Sequence, residues 1–327
     1  MNINHQKNIM KFNKTIITYS WSKEPEISHR ISGHLFEAID YFLLNPMTAT
    51  ILIPETIELY RNQIIDAIAN KYQTIYHELI FENLVFGRPK VLISPKVILC
   101  DGALPAGKIF SDDIELWLCG KEPYWVRSRI LDCKFNTLTI RYNEEINFEL
   151  ANIIKSFYPD NKNIVYDNTF NKVINPEFYS LPNSFEKDIL LYLPGNCRSL
   201  SEFEIDKMVD EINTSVNKIK TGQEVKDLKI CGVNIKDIKF LNKLLTKLDN
   251  IKVYSFFEDK LPLPAFHSQF SYYLYTPTIL NWDCSSRLIQ ECIYLDKPIY
   301  FTDTVIKKLD TNYGLKYLIN KYNLDTK

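Results

Sequence analysis

Short apolar runs alternate along this chain with longer stretches whose apolar positions recur three and four apart. The first run, "KTIITYSW" over 14–21, predicts a strand, and the polar segment "SKEPEISHRIS" after it predicts a loop. "GHLFEAIDYFLLN" over 33–45 predicts a helix, ended by Asn45-Pro46 because proline disfavours helical backbone in the residue before it. "TATILIP" over 48–54 is a second buried strand. Residues 55–72 form a helix with Ile57, Tyr60, Ile64, Ile65, Ile68 and Tyr72 on one stripe. Segments 90–102, 114–120 and 136–142 supply further strands, so the stretch from about 13 to 155 reads as β-rich α/β. Periodicity fades over about 155–184, where Pro and Asn recur, and a linker is expected there.

The pattern then restarts. "DILLYLPG" over 188–195 is a strand. Residues 199–220 are a helix with Phe203, Ile205, Met208, Val209, Ile212, Val216 and Ile219 spaced three and four apart. Strands follow at 227–233, 251–257, 270–277 and 297–301. Helices are expected at 235–249 (Ile238, Leu241, Leu244, Leu245, Leu248), in the segment before 297, and at 313–323. Short apolar strands alternating with amphipathic helices imply a parallel sheet covered on both faces. The expected architecture is therefore α/β, with two Rossmann-like domains at 1–180 and 181–327. Their sheets would face a cleft at the carboxyl ends of the strands, where open α/β proteins bind ligands.

Composition narrows the class. With 46% hydrophobic and 24% charged residues the chain is globular. A net charge of −1 gives no overall field toward nucleic acid or anionic membranes. The amino-terminal "MNINHQKNIMKFNK" lacks the apolar core of a signal peptide, and no run of about 18 apolar residues predicts a membrane span. The cysteines (Cys100, Cys119, Cys133, Cys197, Cys231, Cys284, Cys292) are odd in number and scattered, without CxxC, which favours free thiols in a cytoplasmic protein. The histidines (His5, His29, His34, His77, His267) show no metal-ligand spacing, and no metal site is expected. GxGxxG, GxxxxGK[ST] and GxSxG are absent, which disfavours dinucleotide, P-loop and α/β-hydrolase chemistry.

One stretch carries more polar chemistry than a connection needs: "YTPTILNWDCSSRLIQECIYLDKPIYF" over 275–301. A strand leads into a loop and then a helix, with Asp283 or Ser285 as the candidate N-cap. Unpaired amides and the helix dipole favour a phosphate at such a start, and Ser285, Ser286 and Arg287 add donors. At about 100° per residue, Leu288, Ile289, Cys292, Ile293 and Leu295 gather on one side and Arg287, Gln290, Glu291 and Tyr294 on the other. Glu291 on an open face could accept from a pair of ribose hydroxyls. Equally, Arg287 and Glu291 at i,i+4 describe an ordinary ion pair on a solvated face.

"YYLYTP…DCSSRLIQECIYLDKPIYF" resembles the nucleotide-sugar segment of GT-B glycosyltransferases, where a strand leads to a Ser-containing loop, a helix with Glu, and a Gly-Lys-Pro-like opening of the next strand. Here Asp296-Lys297-Pro298 stands in place of Gly-Lys-Pro, and the glycine-rich stretch often found before the Glu is missing. The resemblance implies that Glu291 holds the donor ribose and that Cys284, Ser285 and Ser286 hold the diphosphate, with Arg287 beside them. It implies that the turn "LYLPGNCRS" faces the diphosphate, Gly195 allowing the turn and Arg198 neutralising the leaving group in place of a metal. It also implies that the loop "EDKLPLPAFHSQF" meets the base through Phe257, Phe266 or His267.

On the acceptor side an inverting enzyme needs a base. His29, His34, Glu37 and Asp40 are candidates, as is Asp101 at a strand end. His34 and Asp101 are the two singled out, although a capping residue and a turn Asp-Gly are the plainer readings. The function implied is metal-independent transfer of a sugar from a nucleotide-diphosphate donor, a UDP-sugar first among them, to an acceptor hydroxyl. No cofactor is expected, and the acceptor would be a glycan, a lipid or a modified nucleic acid. The alternatives are a DNA-modifying glycosyltransferase acting on hydroxylated bases and a non-catalytic nucleotide-sugar-binding protein of the same fold.

Overall fold

The computed structural model describes residues 9–18, 33–45, 49–54, 58–100, 107–118, 130, 133–143, 152, 156, 163–180, 188–192, 201–222, 228–231, 238–248, 251–253, 270–276, 287–307, 309–311 and 313–325. They fall into two compact units, one holding the described residues up to Ser180 and the other those from Asp188 onward.

In chain order the first unit runs β1 (Ile9–Lys11), β2 (Lys14–Ile17), α1 (Gly33–Leu44), β3 (Thr50–Ile53), α2 (Glu58–Lys71), α3 (His77–Glu82), β4 (Leu84–Phe86), β5 (Val91–Ile93), β6 (Lys96–Cys100), β7 (Lys108–Phe110), β8 (Asp113–Trp117), β9 (Thr137–Arg141) and β10 (Ile164–Asp167). Seven of these strands form one parallel sheet in the order β10-β9-β8-β6-β2-β3-β4. The order reverses at β2: later strands add outward through β3 and β4 on one side and through β6, β8, β9 and β10 on the other.

The two faces of this sheet are covered differently. Ile16, Ile51, Ile53, Ile98, Cys100 and Trp117 pack in one core with Leu35, Phe36, Ile39 and Phe42 of α1 and Ile64 and Ile68 of α2. The alternate side chains, Ile17, Leu52, Val97, Leu99, Ile114 and Leu116, pack with Met10, Leu92 and Ile109. Those three come from a second parallel sheet, β1-β5-β7. The links explain why strands stand where a helix layer is usual. Phe12-Asn13, Ser94-Pro95 and Ser111-Asp112 each carry the chain from the small sheet to the large one, and two residues leave no room for a helix. Phe12 N–H donates to the Ile93 carbonyl (3.1 Å), Ser94 N–H to that of Phe110 (3.1 Å) and Ser111 N–H to that of Lys134 (2.9 Å), so the links stack. The run 90–102 thus divides at Ser94-Pro95 into strands of different sheets, as fits a proline that has no N–H to give a ladder.

Where β7 begins, the backbone passes so close to its neighbour that a Cβ on Gly107 would lie 2.2 Å from the Lys90 carbonyl oxygen and 2.3 Å from that of Pro89. Gly107→Ala is expected to cost about 1–3 kcal/mol of stability, the usual range for overpacking. Urea unfolding measures it, and an unchanged midpoint would show that the strands can separate freely.

A polar ladder crosses the helix-side face of the large sheet. Glu115, buried in β8, pairs with Lys96 at 2.5 Å and Arg141 at 3.2 Å, and accepts from Trp117 Nε1 at 3.3 Å. Lys96 also meets Asp113 at 3.2 Å, and Arg141 meets Asp167 at 3.8 Å. Burial works against the Lys96 charge, but the bonds to Glu115 and Asp113 outweigh it and raise its pKa.

The expected linker is partly something else. Residues 164–167 are β10, the sheet's last strand, and residues 173–180 strap the unit together. Val173 N–H donates to Glu37 Oε1 (3.1 Å) and Asn175 N–H to Asp40 Oδ2 (3.0 Å). Tyr179 OH donates to Asp40 Oδ2 (2.5 Å), and Tyr72 OH to Asp40 Oδ1 (2.7 Å). Ser180 N–H reaches the Lys71 carbonyl at 2.7 Å. The buried Lys71 ammonium sits 4.1 Å from the ring centroids of both Phe36 and Tyr179.

The second unit runs β11 (Ile189–Tyr192), α4 (Glu202–Gly222), β12 (Leu228–Cys231), α5 (Ile238–Lys247), β13 (Ile251–Val253), β14 (Tyr272–Tyr275), α6 (Arg287–Tyr294), β15 (Ile299–Phe301), α7 (Asp303–Lys307) and α8 (Tyr313–Tyr322). Its parallel sheet has the order β13-β12-β11-β14-β15, the Rossmann 3-2-1-4-5 arrangement. Ile189 and Leu191 pack with α4 and α5, while Leu190 packs with α6 and α8, so helices cover both faces as expected. Ser201 and Glu204 close a capping box at the start of α4: Ser201 N–H donates to Glu204 Oε2 (2.8 Å) and Glu204 N–H to Ser201 Oγ (3.3 Å). Phe203, counted on the apolar stripe of this helix, is instead 78% exposed. It stands two residues before Ile205, a rotation of about 200° that turns it away from the core. Two parallel α/β units, the second in Rossmann order, are the fold class the sequence predicts.

Candidate functional site

In the second unit the strand order reverses between β11 and β14, which pair in register from Ile189–Tyr272 to Tyr192–Tyr275. The carboxyl ends of these neighbours, Tyr192 and Tyr275, mark the switch point at which such sheets bind ligands. β14 and β15 are parallel neighbours, so the intervening α6 runs back along the sheet with its first residue, Arg287, toward the carboxyl edge.

The helix is amphipathic as predicted on one side: Leu288, Ile289 and Cys292 enter the core with Tyr273, Tyr275 and Leu318. On the other side the sequence leaves open a solvated ion pair, and the structure removes that reading. Arg287, Gln290 and Glu291 are all buried, and Arg287 Nε donates to Glu291 Oε1 at 2.7 Å. Only Tyr294 on that side is exposed. An ion pair out of water needs its partner: losing one member typically costs about 3–5 kcal/mol. This arrangement fixes the Glu291 carboxylate one turn into the helix. Burial pushes the Cys292 thiol far above its ordinary value, so it is an inert core residue rather than a nucleophile.

The helix ends in a Schellman motif. Asp296 N–H donates to the Ile293 carbonyl, Lys297 N–H to that of Cys292, and Asp296 takes φ 54°. The left-handed position is one that Gly fills without strain, and Asp is one of the few other residues that tolerate it. Lys297 is buried, donates to the Phe270 carbonyl at 2.7 Å and lies 4.2 Å from the Phe270 ring centroid. Burial lowers its pKa to about 8. Phe270 precedes β14, so this lysine sits at the opposite end of the sheet from Tyr275 and holds the strand start.

In the first unit, α1 follows β2, whose carboxyl end borders that sheet's own switch point. His34, in the first turn of α1, has Nδ1 3.8 Å from Glu37 Oε2. Glu37 is fully buried, and its other oxygen accepts from Val173 N–H. The 3.8 Å separation is that of an ion pair rather than a hydrogen bond. Asp40, weighed as a base, is buried and accepts from two tyrosine hydroxyls and a backbone amide, which makes it a structural acceptor.

Of the residues singled out from sequence, His34, Arg287 and Glu291 are thus placed. Asp101, Gly195, Arg198, Phe266, His267, Cys284, Ser285 and Ser286 lie outside the described residues, as do Asp283, His29 and Phe257. Among the described residues no group of three or more His, Cys, Asp or Glu could hold a metal ion, and no helix is long and apolar enough to cross a membrane. Cys100, Cys133 and Cys292 carry free thiols. Sequence reasoning missed the part played by residues 173–175. The signal was indirect, two acids in an otherwise apolar helix at Glu37 and Asp40.

No protein-family model matches the sequence, and no characterised protein matches it by sequence. Comparison with solved structures returns, among others, three proteins bound to UDP. A Staphylococcus aureus TarM variant in complex with fondaparinux, α-GlcNAc-glycerol and UDP matches at 12% identity and TM-score 0.38, over 70% of this chain and 52% of that one. The S. aureus MnaA–UDP co-structure matches at 12% identity and TM-score 0.43, over 94% and 87%. Anabaena Alr3699/HepE in complex with UDP and glucose matches at 9% identity and TM-score 0.38, over 95% and 96%. The chain spans about half the length of the TarM chain.

Proposed function

We propose that the protein is a metal-independent GT-B-type glycosyltransferase that takes a nucleotide-diphosphate sugar, a UDP-sugar first, and transfers the sugar to an acceptor hydroxyl in the cytoplasm. The observation that carries this reading is the buried Arg287–Glu291 pair on the helix that follows the switch-point strand β14. A carboxylate fixed there suits the vicinal hydroxyls of a ribose. In the proposal, Cys284, Ser285 and Ser286 hold the diphosphate ahead of the helix, with Gly195 and Arg198 across from them. Phe266 and His267 meet the base. His34, beside Glu37, takes the acceptor proton, with Asp101 as the other candidate. The acceptor oxygen bonds to the anomeric carbon as the bond from that carbon to the diphosphate breaks. The nucleoside diphosphate leaves with the electron pair, and its charge is met by Arg198 and the helix start. The acceptor is a glycan, a lipid or a modified nucleic acid, and no cofactor is needed.

A thermal-shift screen with UDP, GDP, ADP, CMP and dTDP sugars tests the reading. A ligand at a hundred times its Kd should add about 2.7 kcal/mol of stability and a clear rise in Tm. A flat response to all of them would sink the proposal. Binding without turnover of any donor would make the protein a nucleotide-sugar receptor instead.

A further inference from the structure

The small sheet β1-β5-β7 turns one face to the core and the other to solvent. Strand alternation sends Met10, Leu92 and Ile109 inward and Ile9, Lys11, Val91, Ile93, Lys108 and Phe110 outward. The register arranges the outward residues in two rungs. Ile9, Val91 and Lys108 stand side by side in one, and Lys11, Ile93 and Phe110 in the next. Lys134 extends the second rung by bridging to Phe110, and its ammonium lies 5.6 Å from that ring's centroid. Val91, Ile93 and Phe110 therefore fill the middle of the patch, and lysines occupy three of its four corners. None of the outward-facing residues is acidic. Ile9 is 52% exposed and Ile93 37%, although each stands in a strand where a polar residue would serve. The net charge of −1 hides this patch completely.

The geometry points to a peripheral docking face for an anionic lipid bilayer. Charge complementarity selects the occupant. Lysine stems lie along apolar surface while their ammonium groups reach headgroup phosphates, and exposed isoleucines enter the interface between them. A second copy of the chain, offering the same face, would bring like charges together. A nucleic acid would set its phosphates against Ile9 and Ile93, which give them nothing. The inference does not depend on the proposed glycosyl transfer, because it concerns a layer on the sheet face opposite α1 and α2.

The test is co-sedimentation of the full chain with phosphatidylcholine vesicles, with and without an equal part of phosphatidylglycerol. Binding is expected only to the anionic vesicles and should fall as salt rises. K11Q/K108Q/K134Q should weaken it about a hundredfold, from roughly a fivefold effect for each lysine near such a surface. I9S/I93S should weaken it at all salt concentrations alike. Unfolding midpoints of both variants should match the parent, because every side chain changed is exposed. Equal binding to neutral vesicles, no binding to anionic ones, or unchanged binding by the lysine variant would overturn the proposal. So would preferential capture of duplex DNA through the same lysines. Donor-induced thermal shifts should survive in all variants, so failure here stays separate from failure of the proposed function.

Discussion

Replacing Glu291 with alanine should weaken nucleotide-sugar binding by about a hundredfold. Two hydrogen bonds to a charged acceptor are lost, at roughly 1.5 kcal/mol each. Isothermal calorimetry with the donor found in the thermal screen gives the number, and an unchanged Kd would remove Glu291 from the ribose role. The same substitution strips Arg287 of its buried partner at 2.7 Å, so it should also lower stability by about 3–5 kcal/mol. Binding must therefore be measured well below the variant's Tm. The double substitution R287M/E291L separates the two effects. It removes both charges together and should recover much of the stability. It should still fail to bind the donor.

Asp40→Ala should be as damaging to folding, with no ligand involved. The substitution removes the acceptor that Tyr179 OH and Asn175 N–H share, while Tyr72 OH keeps its bond to the Phe36 carbonyl at 3.1 Å. Each of the two groups that lose their acceptor costs about 1–3 kcal/mol, so a loss of about 2–6 kcal/mol is expected in urea unfolding. Asp40→Asn keeps one acceptor oxygen and should lie between. A loss of only a few tenths for Asp40→Ala would mean that apolar packing alone holds residues 173–180 in place.

How much the sequence shows differs between the two units. In the second, every strand and every helix but the five-residue α7 carries its own signal: "ILLY" and "YYLY" are apolar on both faces, and α4 repeats its stripe for about four turns. A parallel sheet covered on both faces follows from that alternation, while its strand order rests on pairings between distant segments. In the first unit, β1, β5 and β7 are three residues long, too short for a period to register, and their two-residue links look like loops. The strap at 173–180, "VINPEFYS", mixes apolar and polar residues without a period. Its order comes from carboxylates more than a hundred residues earlier, a relation no local window contains. At α6, periodicity sorts the two sides correctly but does not tell a buried ion pair from a solvated one, since both read as Arg and Glu four apart. Burial depends on what covers the side chain, and that information is tertiary.

The stacked links between the two sheets also bear on which changes in length the chain can absorb. Lys11–Ile93–Phe110–Lys134 and Lys14–Lys96–Asp113–Thr137 are two rows of one lattice, tied at a fixed spacing by Phe12-Asn13, Ser94-Pro95 and Ser111-Asp112. A substitution in a link changes one side chain. An inserted or deleted residue would shift a strand by one place and turn its core residues outward along the whole strand. Among variants of this fold, then, residues 9–117 should differ by replacement at these three links, and differences in length should fall elsewhere.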